Sequence, residues 1–412
     1  MAKRGRLLLV IAQCDGGDVG ESWCGYKWAF ELAHHYDVTM LTNLFPGDVP
    51  PSKQVPHARV VEWPAFPFLS RIPRLNRAIK PWYPNFYSKA RRWMKNMERN
   101  GETFDLVHHM TPMAMRYPSP CAGLGLKYII GPVAGTLATP AGFLKELDTQ
   151  PVFMKLRDFD GFRLRHDPML RKTYEDAAAV ICSAPYVKDR LSSFTLKKTI
   201  IEPEVSVDEV CSLDMPRSDA VNELKMVFVG RIVRTKGVRD AVRAMSQLKD
   251  LPGVTLDVIG EGEDSDACKI ETAQLGVQSQ VRFLGRKSPA EVMNYYKQAD
   301  VFCFPSFREP TGIVLFEAMG AGLPVIAADA GGPAHIITDK CGINVYPSSP
   351  EKFASGIADA IRKLATQPEL RKTMAKEAIK RAAELGLWKN KLVRISALYE
   401  EVAGIVPQPK SD

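Results

Sequence analysis

The sequence predicts an α/β protein of two domains, each built on a parallel sheet. Three observations predict it. Short β-branched runs alternate with amphipathic stretches from end to end, the pattern of repeated βα units. The 412 residues exceed what one ordinary core of about 150 to 200 residues holds. A polar stretch without sustained period, Glu204 to Glu223, separates two halves with similar strand content. Domains are therefore expected at 1–205 and 206–385, facing a central cleft, with 386–412 as a closing helical segment.

In the first half the expected strands are LLLVIAQ, DVTMLTN, FDLVHH, KYIIGPV, AVICSA and TIIEP. In the second they are MVFVG, TLDVIG, VRFLG, VFCFP, PVIAAD and GINVYP. Ser288, Pro289 and Glu291 form a capping box with proline at the first helical position, which fixes one helix start. From Pro350 to Val402 the pattern is helical, ending in the amphipathic LWKNKLVRISALYEEV.

Apolar residues make up 45% and charged residues 25% of the chain, a globular composition. The formal charge of +8 favours an anionic partner of some kind. The eight cysteines lack CxxC or zinc-site spacing, and Cys182 and Cys303 lie inside apolar strands, so a reducing cytoplasm is the expected compartment. The apolar run Leu7 to Ala12 is short for a signal sequence and suits a first strand. Tyr128 to Leu144 is broken by glycines and prolines, so no membrane span is expected.

In open parallel sheets ligands collect beyond the carboxyl ends of the strands. The unusual residues cluster there. After VFCFP comes the loop SFREPTG and a helix expected to start near Gly312, where the backbone N–H groups of Gly312, Ile313 and Val314, with Thr311 just before them, suit a diphosphate. Glu317 is the only charged residue from Pro310 to Ala328. It either accepts from a vicinal diol such as a ribose or forms a salt bridge with Arg231 or Lys236. Arg231 and Lys236 follow MVFVG, where they either neutralise phosphate oxygens or stay solvated.

Gly16, Gly17 and Gly20 follow the first strand, either as a close-approach site for a substrate or as a tight βα turn. His108 and His109 close FDLVHH, where histidine either meets a sugar hydroxyl or is a structural residue. From Arg71 to Arg99 nine basic residues face one acidic residue, interleaved with Trp82, Tyr83, Phe86, Tyr87 and Trp93. An anionic membrane surface, single-stranded nucleic acid, or a solvated face with its aromatics in the core all fit that pattern.

The segment REPTGIVLFEAMGAGLPVIA, with Glu309 and Glu317 spaced E-x7-E, and GRIVRTKG around Arg231 and Lys236 resemble the retaining family-four glycosyltransferases of GT-B fold, the glycosyl transferases group 1 proteins. The resemblance implies two Rossmann-like domains, a donor site in the second and an acceptor site in the first. It implies that Glu309 contacts the donor sugar, Glu317 the ribose, Gly312 to Val314 the diphosphate, and Arg231 with Lys236 the phosphates. Base contacts would come from Arg282, Phe283 and Leu284 near Gly260, and the final helix would cross back to the first domain. The loop reads EPTG where EGFG is commoner, His335 stands where many members carry glutamate, and HHM replaces HxH, so both His108 and His109 are retained as candidates.

The expected activity is transfer of a hexosyl unit from a UDP- or GDP-linked sugar to an acceptor hydroxyl with retention, in bacterial polysaccharide or glycoconjugate synthesis. The acceptor would be a glycan, a lipid-linked glycan or a small molecule. No cofactor, no metal and no nucleic acid are expected, and peripheral attachment to the inner membrane face through Arg71–Arg99 is. A sugar-nucleotide epimerase of the same architecture and a non-catalytic sugar-nucleotide binding subunit are the alternatives.

Overall fold

The computed structural model describes residues 5–65, 80–97, 99, 101–135, 137–147, 160–211 and 219–408. Contacts divide the chain into two units. The first comprises 1–136, 151–204 and 391–412, and the second comprises 137–150 and 205–390. Two short stretches thus differ from the division expected at 205 and 386: 137–150 lies with the second unit, and the chain returns to the first at Lys391.

The first unit holds a seven-stranded sheet in the order β3-β2-β1-β4-β5-β6-β7, every pairing parallel. Its strands are β1 (Arg6–Ile11), β2 (Asp37–Leu44), β3 (Arg59–Pro64), β4 (Leu106–Thr111), β5 (Tyr128–Val133), β6 (Ala179–Cys182) and β7 (Thr199–Ile201). Strand β3 has no counterpart among the expected strands. It is an edge strand with half-exposed residues, so RVVEWP lacks the apolar run that burial on both faces gives the others. Around this sheet stand α1 (Glu21–His35), α2 (Tyr83–Asn96) and α3 (Pro168–Glu175). Val10, Leu41, Val107, Ile130 and Val180 share one face with Phe86 and Met94 of α2 and Leu170 and Tyr174 of α3.

The second unit repeats the scheme with six strands in the order β10-β9-β8-β11-β12-β13, again all parallel. They are β8 (Glu223–Val229), β9 (Gly253–Ile259), β10 (Val281–Gly285), β11 (Val301–Phe304), β12 (Val325–Ala328) and β13 (Gly342–Val345). The helices that bear on the site are α4 (Val238–Met245), α5 (Pro289–Gln298) and α6 (Ile313–Gly320). The capping box of α5 is present: Ser288 accepts from the Glu291 N–H and the Glu291 side chain accepts from the Ser288 N–H. Strand order reverses between β8 and β11, so the loops leaving these two strands diverge to opposite faces and leave an opening at their carboxyl ends.

The last helix, α7 (Trp388–Ala403), begins in the second unit and continues in the first. Within the first unit its Lys391 is buried, donates to the Pro203 carbonyl and lies 5.0 Å from the Trp28 ring centroid. Arg394 grips the buried Glu202 carboxylate with two hydrogen bonds of 2.7 and 2.8 Å. Burial pulls the Lys391 ammonium down to about 8. Among the described residues no helix is long and apolar enough to cross a membrane.

Candidate functional site

The opening between β8 and β11 collects the strongest of the sequence candidates. After β8 the chain runs through Arg231 to a single 3-10 turn, Arg234–Lys236, and Gly237. Gly237 adopts φ +77°, and a Cβ there would lie 2.0 Å from the Pro305 carbonyl oxygen, so only glycine lets this turn press against the end of β11. The contact is reinforced by the Phe307 N–H and the Ser306 hydroxyl, which both donate to the Thr235 carbonyl. The result is an ion pair between Lys236 and Glu309, with the ammonium 5.2 Å from the Phe304 ring centroid.

Glu309 is buried, and its own carbonyl accepts from the Gly332 N–H at 2.9 Å. Three residues further, Gly312 at φ +88° caps α6 without any side-chain hydrogen bond. A Cβ on Gly312 would sit 3.1 Å from the Glu309 Cγ. At the start of α6 Ile313 and Val314 are half-buried, and the leading N–H groups of a helix have no intrahelical acceptor. Thr311 is fully buried beneath them. A carboxylate, an ammonium and a helix N-terminus thus stand together at the carboxyl ends of β8 and β11, which is a constellation for a polyhydroxylated anion.

Glu317 lies one turn into α6. Neither Arg231 nor Lys236 pairs with it: Lys236 is engaged by Glu309, and Arg231 lies 3.8 Å from Glu263 on the surface. The Tyr296 hydroxyl of α5 donates to the Glu317 carboxylate at 3.4 Å, and among the described residues no cation pairs with it. Burial pushes its carboxyl above the ordinary value. Of the two readings open for Glu317, the salt bridge is absent and the carboxylate retains capacity to accept from a ligand.

Arg282 is exposed and held by Asp257 of the neighbouring strand through hydrogen bonds of 2.6 and 2.7 Å, while Phe283 and Leu284 are half-buried on the edge strand β10. Gly260 packs so closely on β8 that a Cβ would lie 1.9 Å from the Gly230 oxygen. Its glycine character follows from strand packing. His335 donates its backbone N–H to the Gly332 carbonyl, and its own carbonyl accepts from Arg381.

Sequence reasoning missed Arg234, the middle cation of GRIVRTKG. It is buried, donates to Asp240 of α4 at 2.6 and 3.0 Å, and pairs with Glu146. Its guanidinium lies 5.3 Å from the ring centroids of both Phe143 and Phe307. The close partners raise it above its ordinary value against the cost of burial. A signal for it existed, since a third cation in a strand-end turn exceeds what phosphate contacts need, but its partners come from distant sequence.

The candidates of the first unit sit differently. Gly16 donates its N–H to the Gln54 side chain at 2.6 Å and Gly17 to Asp15 at 3.0 Å, the geometry of a tight turn before α1. His108 and His109 project to opposite faces of β4 and are both buried. Both ring nitrogens of His108 are engaged, by the Tyr399 hydroxyl of α7 and the Gly131 carbonyl, and burial lowers its pKa to about 3. The expectation that His108 meets a sugar or relays a proton is therefore corrected: it joins α7 to the sheet. His109 Nε2 contacts the Thr111 carbonyl at 3.1 Å and its buried Nδ1 has no partner among the described residues; burial lowers its pKa to about 4.

In the basic segment, Arg71, Arg74 and Arg77 lie outside the described residues. Trp82, Tyr83 and Phe86 are buried in the core, with Tyr87 and Trp93 partly buried against it. Lys80 is buried and paired with Glu21, and Arg91 donates to the Pro120 and Ala122 carbonyls. Arg92, Lys95 and Arg99 are exposed and Lys89 is half-buried.

Residues 215–381 match the family model of the glycosyl transferases group 1. Over 137 residues the chain is 39% identical to an uncharacterised glycosyltransferase of Methanocaldococcus jannaschii, a stretch covering 33% of this chain and 35% of that relative. The chain thus spans about a third of the length of this curated relative. Sucrose-phosphate synthase from Thermosynechococcus elongatus superposes with a TM-score of 0.68 at 21% identity, covering 97% of this chain and 99% of the other. Anabaena HepE, solved in complex with UDP, superposes with a TM-score of 0.65 at 17% identity over 96% of this chain and 100% of its own. The match to the glycosyl transferases group 1 thus covers residues 215–381, and the chain as a whole has a two-unit, all-parallel α/β fold of the GT-B type.

Proposed function

We propose that this protein transfers a hexosyl unit from a nucleoside diphosphate sugar, UDP- or GDP-linked, to an acceptor hydroxyl with retention at the anomeric carbon. The observation that carries the proposal is the meeting of Lys236 and Glu309 beside the uncapped N-terminus of α6, with Glu317 half-buried and unpaired by any described cation one turn further on. In this reading Glu317 accepts from the ribose diol, the N–H groups of Gly312, Ile313 and Val314 hold the diphosphate, and Glu309 accepts from sugar hydroxyls. Lys236 and Arg231 take up the charge that develops on phosphate oxygen as the bond to the anomeric carbon breaks. The electron pair leaves with the nucleoside diphosphate, the acceptor oxygen attacks the same face, and its proton passes to the departing phosphate oxygen. A fold neighbour solved with UDP supports the nucleoside diphosphate.

Phosphate neutralisation by these groups makes a metal unnecessary, and the first unit is assigned to the acceptor, with His109 the histidine retained there. The test is incubation with UDP- and GDP-sugars and a panel of glycan and lipid-linked acceptors, with and without chelator, followed by NMR of the product. A retained anomer formed at undiminished rate in chelator supports the mechanism, and an inverted anomer or chelator-abolished turnover refutes it.

We further propose a cytoplasmic protein whose exposed Arg92, Lys95 and Arg99 attract the anionic inner membrane face. Cosedimentation with anionic vesicles that falls with salt and with charge reversal at these positions supports that attachment; cosedimentation insensitive to both sinks it.

A further inference from the structure

One piece of the second unit does not come from the second half of the sequence. Residues 137–147 follow the last residues of β5 and precede α3 in the chain, yet they are built into the second unit. They are fastened there at several points. The Phe143 ring lies 4.3 Å from Phe307 and 5.9 Å from Phe353, centroid to centroid. Gly142 lies so close to the turn before the helix at Pro350 that a Cβ would meet the Ser348 carbonyl oxygen at 2.2 Å. Glu146 pairs with Arg234 and Arg243. These contacts fix the segment against the turn that carries Lys236 and against the loop that carries Glu309.

The other end of the segment reaches the Glu309 loop itself. Arg308 donates to the Thr139 hydroxyl at 3.3 Å. A Cβ on Gly331 would lie 2.9 Å from Leu137 Cδ1 and 2.3 Å from the Glu309 carbonyl oxygen. Leu137, Gly331 and the Glu309 backbone are therefore stacked without a gap, and Thr139 touches the residue that precedes Glu309. Ala138 and Ala141 are exposed, while Leu137, Thr139 and Pro140 are half-buried, so the segment presents surface beside Glu309 as well as support beneath it.

We propose that residues 137–147 form the wall of the donor site at its sugar end, and that Thr139 is a positioning residue which holds Arg308 and thereby aims the Glu309 carboxylate at the sugar hydroxyls. The inference rests on the donor-site reading above and adds to it a determinant of which sugar is accepted. The wall stands at the Glu309 end of the site. Its effect falls on the sugar and spares the nucleoside diphosphate, which is held from Gly312 to Glu317.

The experiment uses the full-length protein and compares binding of UDP and GDP with binding of UDP-glucose and GDP-mannose by calorimetry, in wild type, Thr139→Val and Thr139→Ser. The expected result is that Thr139→Val weakens the sugar nucleotide about fivefold to tenfold, the loss of one hydrogen bond at a charged group, and leaves the matching diphosphate within about twofold. Thr139→Ser, which keeps the hydroxyl, restores the wild-type ratio. Equal weakening of both ligands, or of neither, or failure of serine to rescue, overturns the proposal. Wild type that binds neither diphosphates nor their sugars overturns the donor-site reading beneath it. Should Thr139→Val fold poorly, Glu146→Gln loosens the same segment from its other end and carries the same expectation for the ratio of affinities.

Discussion

The Lys236 ammonium donates to the Glu309 carboxylate across the opening between the carboxyl ends of β8 and β11. In the free protein each neutralises the other, so the two meet the substrate as a unit. The pair is coupled, and mutations at its two ends do not add. Glu309→Gln keeps the shape and is expected to lower transfer about 100-fold while the thermal midpoint stays within a few degrees. The Lys236→Ala/Glu309→Gln double variant is expected to lose no more than the worse single variant. Rate measurements on the three proteins check it, and a double loss equal to the product of the singles speaks against coupling.

Glu317 makes a prediction in which stability and binding move oppositely. Burial raises its carboxyl above 4.5, with only the Tyr296 hydroxyl pulling the other way. A raised folded pKa favours the fold below the unfolded value, and that contribution is lost as pH rises through the folded one. Above its folded value the free protein therefore holds an ionised carboxylate at a cost. Glu317→Gln is expected to raise the thermal midpoint at pH 7 and leave it unchanged near pH 4, while nucleoside diphosphate affinity falls. Thermal melts across that range decide it, and an equal effect at both pH values refutes the account.

His108 gives the opposite sign. Its folded pKa of about 3 lies below the ordinary value of 6.5, so the stability it confers is complete above 6.5 and is lost as pH falls toward 3. His109, at about 4, behaves likewise. Urea unfolding between pH 7 and 4 is expected to show stability falling with acid, and His108→Gln is expected to remove up to about one proton from that slope. An unchanged slope contradicts the buried, doubly engaged imidazole.

Arg234 tests the buried brace. Arg234→Leu leaves Asp240, which is fully buried, without its bidentate partner, with Arg243 at 3.6 Å the one remaining ion-pair partner among the described residues. The expected loss is about 3 kcal/mol, read by denaturant unfolding, because one member of a buried pair is left uncompensated. Arg234→Leu with Asp240→Leu is expected to recover part of it.

The fold was legible because parallel strands buried on both faces write themselves as apolar runs, as VFCF and VIAA do. RVVEWP was not, since an edge strand has no such signature. At the site, Glu309, Glu317, Lys236 and Gly312 were legible because they fall at strand ends on both sides of one switch point. Their partners were not: Tyr296 reaches Glu317 from another helix, and Phe143 and Glu146 reach Arg234 from the first half of the chain. The aromatics from Trp82 to Trp93 fit a membrane surface and a core equally by pattern, and tertiary packing put them in the core.

The most direct test of the donor site is titration of UDP and GDP into wild type and Glu317→Gln at pH 7 without added metal. The account predicts that wild type binds at least one of them and that Glu317→Gln weakens that ligand about tenfold or more, as expected when a charged hydrogen-bond acceptor for a ribose is lost. Binding of neither diphosphate by wild type, or equal affinity in the two proteins, would contradict it.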